Sequence, residues 1–290
     1  MAEIKETDAI TGIETTGHEW DGIKELDNPL PNWWRWIFWA TIIWSIGYWV
    51  AYPALPLISS YSKGMLGYSS RGEVAVELAE AKLAHAGQRV KVASASLEQI
   101  RTKPELLEFT LAGGRSAFNV HCTQCHGSGA QGFVGYPNLN DDEWLWGGSL
   151  KEIQKTITHG IRNEDDEDAR TSAMPAFLRD KVLNPAQISD VADYVLGLSG
   201  QSKDQAAQGR GKAIYAEQCA GCHGETGSGD MAQGAPALNN AIWLYGGDKE
   251  TIVETISNSR GGVMPAWGRI LDPVTIKQLA VYVHSLGGGS

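Results

Sequence analysis

The chain has 290 residues, a formal net charge of −10 and four cysteines. It offers no basic patch for nucleic acid, and it contains no Gly-x-Gly-x-x-Gly turn, phosphate-binding loop or hydrolase triad. All four cysteines fall in two short motifs, which leaves none for a disulfide.

Residues 1–32 are mostly polar, with eight acids against Lys5 and Lys24. A cleaved signal peptide would place basic residues directly before an apolar run, so none is expected. Residues 33–58 read as a membrane anchor. No charge occurs from Trp36 to Ser62, a run of 27 positions, where a bilayer needs about 20 apolar residues. Trp33, Trp34, Trp36 and Trp39 crowd its start, and Trp49, Tyr52 and Tyr61 mark its far side, as suits rings at headgroup depth. Arg35 can snorkel at the near edge. Pro53 and Pro56 end or kink the helix, so the spanning part is Trp33 to about Tyr52. A buried core helix is the alternative, and loop charges barely favour either orientation.

Residues 59–108 form a linker, rich in Ala, Glu, Lys and Leu from Arg71 to Phe109 and broken only at Gly87 and Pro104. It is expected to be a helical spacer. Then comes Cys122-Thr-Gln-Cys125-His126, and 97 positions on Cys219-Ala-Gly-Cys222-His223. On a helix, residues three and four apart share a face, so both sulfurs reach the vinyl edge of a porphyrin while the imidazole meets its iron. A thioredoxin-type site does not need the histidine, and a zinc site needs further ligands. Two covalently bound haem c groups per chain are expected, with Cys122, Cys125, Cys219 and Cys222 as thioether anchors and His126 and His223 as axial ligands.

An internal repeat follows. Gly114–Phe118 answers to Gly211–Tyr215, Tyr136–Leu139 to Ala235–Leu238, Trp144–Gly148 to Trp243–Gly247, Met174–Phe177 to Met264–Trp267, and Tyr194–Leu198 to Tyr282–Leu286. The offset is 97 at the cysteines, 99 at the tryptophans, 90 at the methionines and 88 in the closing segments. Iron held by His commonly takes a Met thioether opposite. Met174 and Met264 share a Met-Pro-Ala-aromatic context, one behind each motif, and are the expected sixth ligands, paired in chain order as His126/Met174 and His223/Met264. Met231 reads as an ordinary loop methionine, and His121 and His159 as surface or supporting residues.

The pattern of an early haem motif, a late Met-Pro and closing helices over Ile188–Leu198 and Ile276–Leu286 resembles class I cytochrome c. In class I cytochromes c a proline carbonyl holds the proximal imidazole, and similarity to them implies that role for Pro137 and Pro236, with a plain turn proline as the alternative. The expected fold is all-α: one N-terminal transmembrane helix, then tandem cytochrome c-like domains at 109–200 and 201–290. Their joint, Ser199 to Gly211, is rich in Gln, Gly and Ser. The acidic stretch Glu164–Asp168 would draw a basic electron donor, though a solvated loop is the plainer reading. Arg162 and Arg170 flank it and are candidates for pairing with haem propionates.

The segments Thr16–Ile23, Glu25–Pro31, Trp33-Trp34 and Tyr52-Pro53, together with His159-Gly-Ile-Arg162 and Met174-Pro-Ala, are similar to the dihaem subunit III (CcoP or FixP) of cbb3-type cytochrome c oxidases. That resemblance implies an electron-input subunit without the oxygen site, which stays with the catalytic subunit of haems b and copper. Electrons would arrive from the bc1 complex or a cytochrome c and pass to a monohaem c subunit and the catalytic subunit, which reduces dioxygen to water with proton pumping. It also implies a single-pass protein of the bacterial inner membrane, and covalent haem attachment, which in known families occurs outside that membrane, sets the expected orientation, N-terminus cytoplasmic and haem domains periplasmic. A free-standing dihaem shuttle and a dihaem peroxidase are the alternatives.

Overall fold

The computed structural model describes residues 5–287, so the outermost ends of segments 1–32 and 201–290 lie outside the described residues. The chain divides into two compact units, Met1–Leu83 and Ala84–Ser290.

The first unit departs from the all-α expectation. Strands β1 (Thr15–Trp20) and β2 (Ile23–Leu26) pair antiparallel, with Trp20 opposite Ile23 and Glu19 opposite Lys24. The turn is Asp21-Gly22, both at positive φ (49° and 83°), the twist that matches a two-residue hairpin. Thr15 faces Leu26, so the register slips between Thr15 and Glu19, where Gly17 sits at φ 89°.

Helix α1 (Asn32–Ala51) covers the expected span and ends before Pro53. Its 20 residues make a rod of about 30 Å, bilayer length. Even so, among the described residues no helix is long and apolar enough to cross a membrane. Six of the residues of α1 are tryptophan and one is Arg35, and these polar-tipped side chains dilute its hydropathy.

Helix α2 (Ser70–Ser94) runs through Gly87 without a break. The interruption comes at Ser96, whose hydroxyl accepts from Gln99 N while Gln99 Oε1 accepts from Ser96 N, a capping box that starts α3 (Leu97–Thr102). Pro104 opens the next helix, α4 (Pro104–His121), at the first-turn position where its missing N–H does no harm.

The end of α2 is no free spacer. Val92, Ala95, Leu97 and Ile100 are buried with Leu106, Leu150 and Val281, and Lys277 Nζ donates to the carbonyls of Ala93 and Ala95, both at 2.8 Å. The linker therefore joins the haem-motif body over its last turns.

That body is built from paired elements of the two repeats. After α4 come α5 (Thr123–His126), α6 (Leu150–His159) and α7 (Pro185–Leu198). The second repeat supplies α8 (Gln205–Gln218), α9 (Ala220–His223), α10 (Lys249–Asn258), a 3-10 turn at Trp267–Arg269 and α11 (Pro273–His284). Caps mark the starts: Ser149, Asp204 and Asp248 accept from backbone N–H groups three residues on, and Asn184 and Gln187 form a second box.

The closing helices do not return to their own repeats. Helix α7 buries Ile188, Val191, Ala192 and Val195 against Tyr215, Ile252 and Ile256 of the second repeat. Helix α11 buries Ile276, Leu279, Ala280 and Val283 against Phe118, Ile153 and Ile157 of the first. Glycines permit both crossings: a Cβ on Gly114 would stand 2.6 Å from Tyr282 Cβ, and one on Gly211 would stand 3.0 Å from Tyr194 Cβ. Aromatic pairs fill each crossing, Phe118–Tyr282 at 5.5 Å and Tyr194–Tyr215 at 5.0 Å. The cause is the joint. Only residues 199–204 separate α7 from α8, and so short a link makes them neighbours. Domains 109–200 and 201–290 are thus repeats in sequence, while the cores are assembled by exchange.

Candidate haem centres

Each motif is a helical turn continuing the helix before it. Cys122 N bonds Phe118 O at 2.8 Å and His126 N bonds Cys122 O at 2.9 Å; Cys219 N bonds Tyr215 O at 2.9 Å and His223 N bonds Cys219 O at 3.0 Å. The imidazoles are then fixed from behind. His126 Nδ1 lies 3.0 Å from Pro137 O, and His223 Nδ1 lies 2.9 Å from Pro236 O. A carbonyl only accepts, so Nδ1 carries the proton and Nε2 keeps its lone pair for a metal.

The proline loops come this close because of Gly132 (φ 70°) and Gly229 (φ 74°), whose N–H groups donate to the carbonyls of His126 and His223. A Cβ at Gly132 would stand 2.7 Å from Asn138 N, and one at Gly229 2.7 Å from Ala237 N. Burial pushes both imidazoles below their usual pKa, against the opposing pull of the proline carbonyls, and so favours the neutral ring that a metal needs. Burial, with the neighbouring cysteine adding to it, pushes the thiols of Cys122 and Cys219 up to about 11.

The donor set fits a covalently held porphyrin. Each core holds the first cysteine of one motif and a half-buried thioether among apolar side chains, and the same motif adds an exposed second cysteine and an imidazole with a free Nε2. Trp144 Nε1 is buried without a hydrogen-bond partner, an orphaned donor of the kind a haem propionate would satisfy. Trp144 and its counterpart Trp243 are backed by glycines: a Cβ at Gly148 would stand 2.9 Å from Trp144 Nε1, and one at Gly247 would stand 2.5 Å from Trp243 Cδ1.

The thioethers do not pack in chain order. Met264 packs in the core of Cys122, Phe118, Leu139, Trp144 and Trp267. Met174 packs in the core of Cys219, Tyr215, Leu238 and Trp243. Exchange of the closing helices carries each Met-Pro-Ala loop with it, so the motif of each repeat meets the methionine of the other.

The remaining expected residues have other surroundings. Met231 is an exposed loop residue. His121 lies tilted against Trp267, ring centroids 5.3 Å apart, and His159 Nδ1 meets the Asp166 carboxylate at 3.1 Å, tying the acidic loop to the end of α6. Arg170 is engaged within the protein: Nε donates to Thr156 Oγ1 at 2.8 Å, Glu152 pairs with it, and its guanidinium lies 5.3 Å from the Trp146 ring.

Arg260 repeats that arrangement and escaped the sequence reading. It donates to Thr251 O at 2.9 Å and to Thr255 Oγ1, 4.6 Å from the Tyr245 ring. The signal was available: each arginine stands four residues before its methionine, at the same offset of 90. A cleft of about 300 Å³ lies between the loops of Pro137 and Pro236, lined by Phe133, Tyr136, Trp243 and Tyr245 but by none of the cysteines, motif histidines or methionines. Gly135 N closes on Leu244 O there at 2.8 Å.

Small helical cores, each closed over a Cys-x-x-Cys-His turn and a facing methionine, define a c-type cytochrome. The comparisons narrow the class. Residues 109–195 and 206–283 match the family described as cytochrome c oxidase, cbb3-type, subunit III, and residues 12–59 match the N-terminal domain of cytochrome oxidase-cbb3, FixP. The cbb3-type oxidase subunit CcoP of Azospirillum brasilense is 54% identical over 98% of this chain and 99% of its own. FixP of Azorhizobium caulinodans is 55% identical over 97% and 96%, and FixP of Rhizobium meliloti 50% identical over 98% of each. The chain belongs to the family of cbb3-type cytochrome c oxidase subunit III, the electron-transferring cytochrome c subunits of that oxidoreductase complex.

Proposed function

We propose that the chain carries two covalent haem c groups, on Cys122/Cys125 and on Cys219/Cys222, with His126 and Met264 on one iron and His223 and Met174 on the other. The observation that carries this reading is the packing of one methionine in the same core as the first cysteine of each motif, whose imidazole is held by a proline carbonyl. Bound haem iron would supply one-electron exchange between ferric and ferrous states. The chain's own residues do the rest. Pro137 and Pro236 orient the imidazoles and raise their donor strength. Each methionine would supply its iron with a second protein ligand and so leave oxygen no place to bind, so the subunit would carry electrons and leave oxygen chemistry elsewhere. Phe118, Ile153, Tyr215 and Ile252, with their neighbours, exclude water, which lowers the reorganisation that accompanies electron transfer.

On the same reading, electrons come from the bc1 complex or a cytochrome c and go to the monohaem and catalytic subunits of the oxidase. Helix α1 is the single membrane anchor, with the N-terminus cytoplasmic and the haem body periplasmic in the bacterial inner membrane. Its length, its lack of charge beyond Arg35 and the exposure of nearly all its side chains support this, as does the match of residues 12–59. Tryptophan scores as weakly polar in hydropathy, yet its rings prefer the membrane interface, which reconciles a modest mean hydropathy with a spanning helix. Alkaline carbonate washing of membranes should leave the chain in the pellet, and deletion of residues 33–51 should release it; release of the intact chain by alkali would overturn the anchor. Haem counted after denaturation of the purified chain should equal two per polypeptide, and one or none would overturn the cofactor assignment.

A further inference from the structure

The repeat offset falls from 99 at the ends of α6 and α10, His159 and Asn258, to 90 at Arg170 and Arg260. The first repeat therefore holds nine extra residues between α6 and Arg170, and Arg162 is among them. Its side chain reaches both methionine loops. Nε donates to Gly262 O at 2.7 Å and Nη1 donates to Ser172 O at 3.4 Å. Gly262 stands two residues before Met264, and Ser172 stands two residues before Met174. One guanidinium thus spans two loops that serve different cores.

Three further observations single out this position. The backbone beside Arg162 is bonded to the same loop: Ile161 N donates to Met264 O and Met264 N to Ile161 O, both at 3.0 Å. Arg162 itself sits at φ 50°, a left-handed conformation that a side-chain-bearing residue keeps only where its surroundings hold it. A Cβ on Gly261 would stand 3.2 Å from Arg162 Nε, so that glycine leaves room for the guanidinium.

We propose that Arg162 is a positioning residue that holds Met174 and Met264 in common, so that the two methionine loops are set by one side chain. The proposal rests on the reading of both methionines as axial haem ligands. Arg162 touches neither thioether. It acts through the carbonyls two residues upstream, and a planar guanidinium with donors along different directions suits that bridge as an ammonium does not. Removing the fork leaves two carbonyls without their charged donor and frees both loops together.

The test uses the full chain with both haems attached. The readouts are the far-red absorption of methionine-ligated ferric haem and the midpoint potential of each haem, for M174H, M264H, R162Q and R162K. M174H and M264H should each abolish the absorption and lower the potential of one haem; no change in either would overturn the ligand reading and this proposal with it. With both shifts in hand, R162Q should weaken the absorption and lower the potential at both haems. Wild-type values at both, or a change at only one, would overturn the proposal and leave the ligand reading intact. If R162Q does not accumulate, R162K decides: its compact ammonium holds one carbonyl, so a loss at one haem is expected, and wild-type behaviour at both would overturn the proposal.

Discussion

At the scale of single residues, the two centres are made alike by local contacts that repeat with the sequence. Each arginine four residues before a methionine is clamped to the preceding helix and laid over an aromatic ring, Arg170 on Trp146 and Arg260 on Tyr245. Lysine cannot reproduce the fork or the stacked plane. Arg260→Lys should lower stability by about 1–2 kcal/mol, from a lost cation–π contact and unpaired acceptors. Thermal unfolding of the two proteins checks this, and an unchanged midpoint would show the clamp to be ornamental. Gly160 is a second such point: it sits at φ 74°, and a Cβ there would overlap the Met264 carbonyl oxygen, with Pro265 C at 2.8 Å. Gly160→Ala should weaken methionine ligation at the haem of Cys122 and Cys125, read in far-red absorption, and leave the other haem unaltered. The cysteines, histidines, prolines and methionines of the centres were all legible as residue types at a repeated spacing. Arg260 was legible by the same offset, but nothing in its neighbourhood announces a charged residue turned inward.

At the scale of elements, hydrophobic spacing told which face of each helix is buried and left open what buries it. The 3.6-residue period of Ile188, Val191, Ala192 and Val195 is satisfied equally by α4 or α8, and residues 199–204 decide for α8 by being few. The Asp21-Gly22 turn between Thr15–Trp20 and Ile23–Leu26 was readable as a hairpin, since Asp-Gly favours the two-residue turn that joins them. Glycine at the crossings is a firm requirement. Gly211→Ala would drive a Cβ into the Asp190 backbone and toward Tyr194, and should cost about 1–3 kcal/mol in denaturant unfolding; a neutral effect would argue against the close crossing of α7 and α8.

The same pair of helices carries a pH response. Arg210 donates to both carboxylate oxygens of Asp190, at 2.8 and 2.7 Å, and that bond chiefly holds the Asp190 carboxyl below its usual 3.8. A lowered carboxylate stabilises the fold at pH above its unfolded value, and the contribution disappears as pH falls through the lowered value. Arg210→Gln should therefore lower stability near neutrality, and the deficit should shrink as pH falls through the lowered value, where the two proteins converge. Stability near neutrality identical to that of the parent chain would rule the pair out as a contributor.

At the scale of the whole molecule, exchange of the closing helices makes the two centres one cooperative body. On the proposed ligation, neither repeat owns a complete ligand set. Residues 109–200 produced alone contain His126 but lack Met264 and α11, and should bind haem without methionine ligation and with little fixed structure. Such interlocking keeps the two centres in one compact body, which serves an electron carrier whose rate depends on distance, and it explains why the linker ends as part of the fold rather than as a hinge. The repeat was visible in the sequence, and so was the need for two methionines. Their packing each in the core of the other repeat's motif was not, because chain order is the natural guess when two similar units follow one another.

The most direct test isolates one centre. A chain with Cys219 and Cys222 both replaced by serine would hold haem only at Cys122 and Cys125, and its far-red absorption would report a single methionine. Replacing Met264 by alanine in that chain should abolish the absorption, while replacing Met174 should leave it in place. Loss with Met174 and persistence without Met264 would contradict the exchanged pairing and the account built on it.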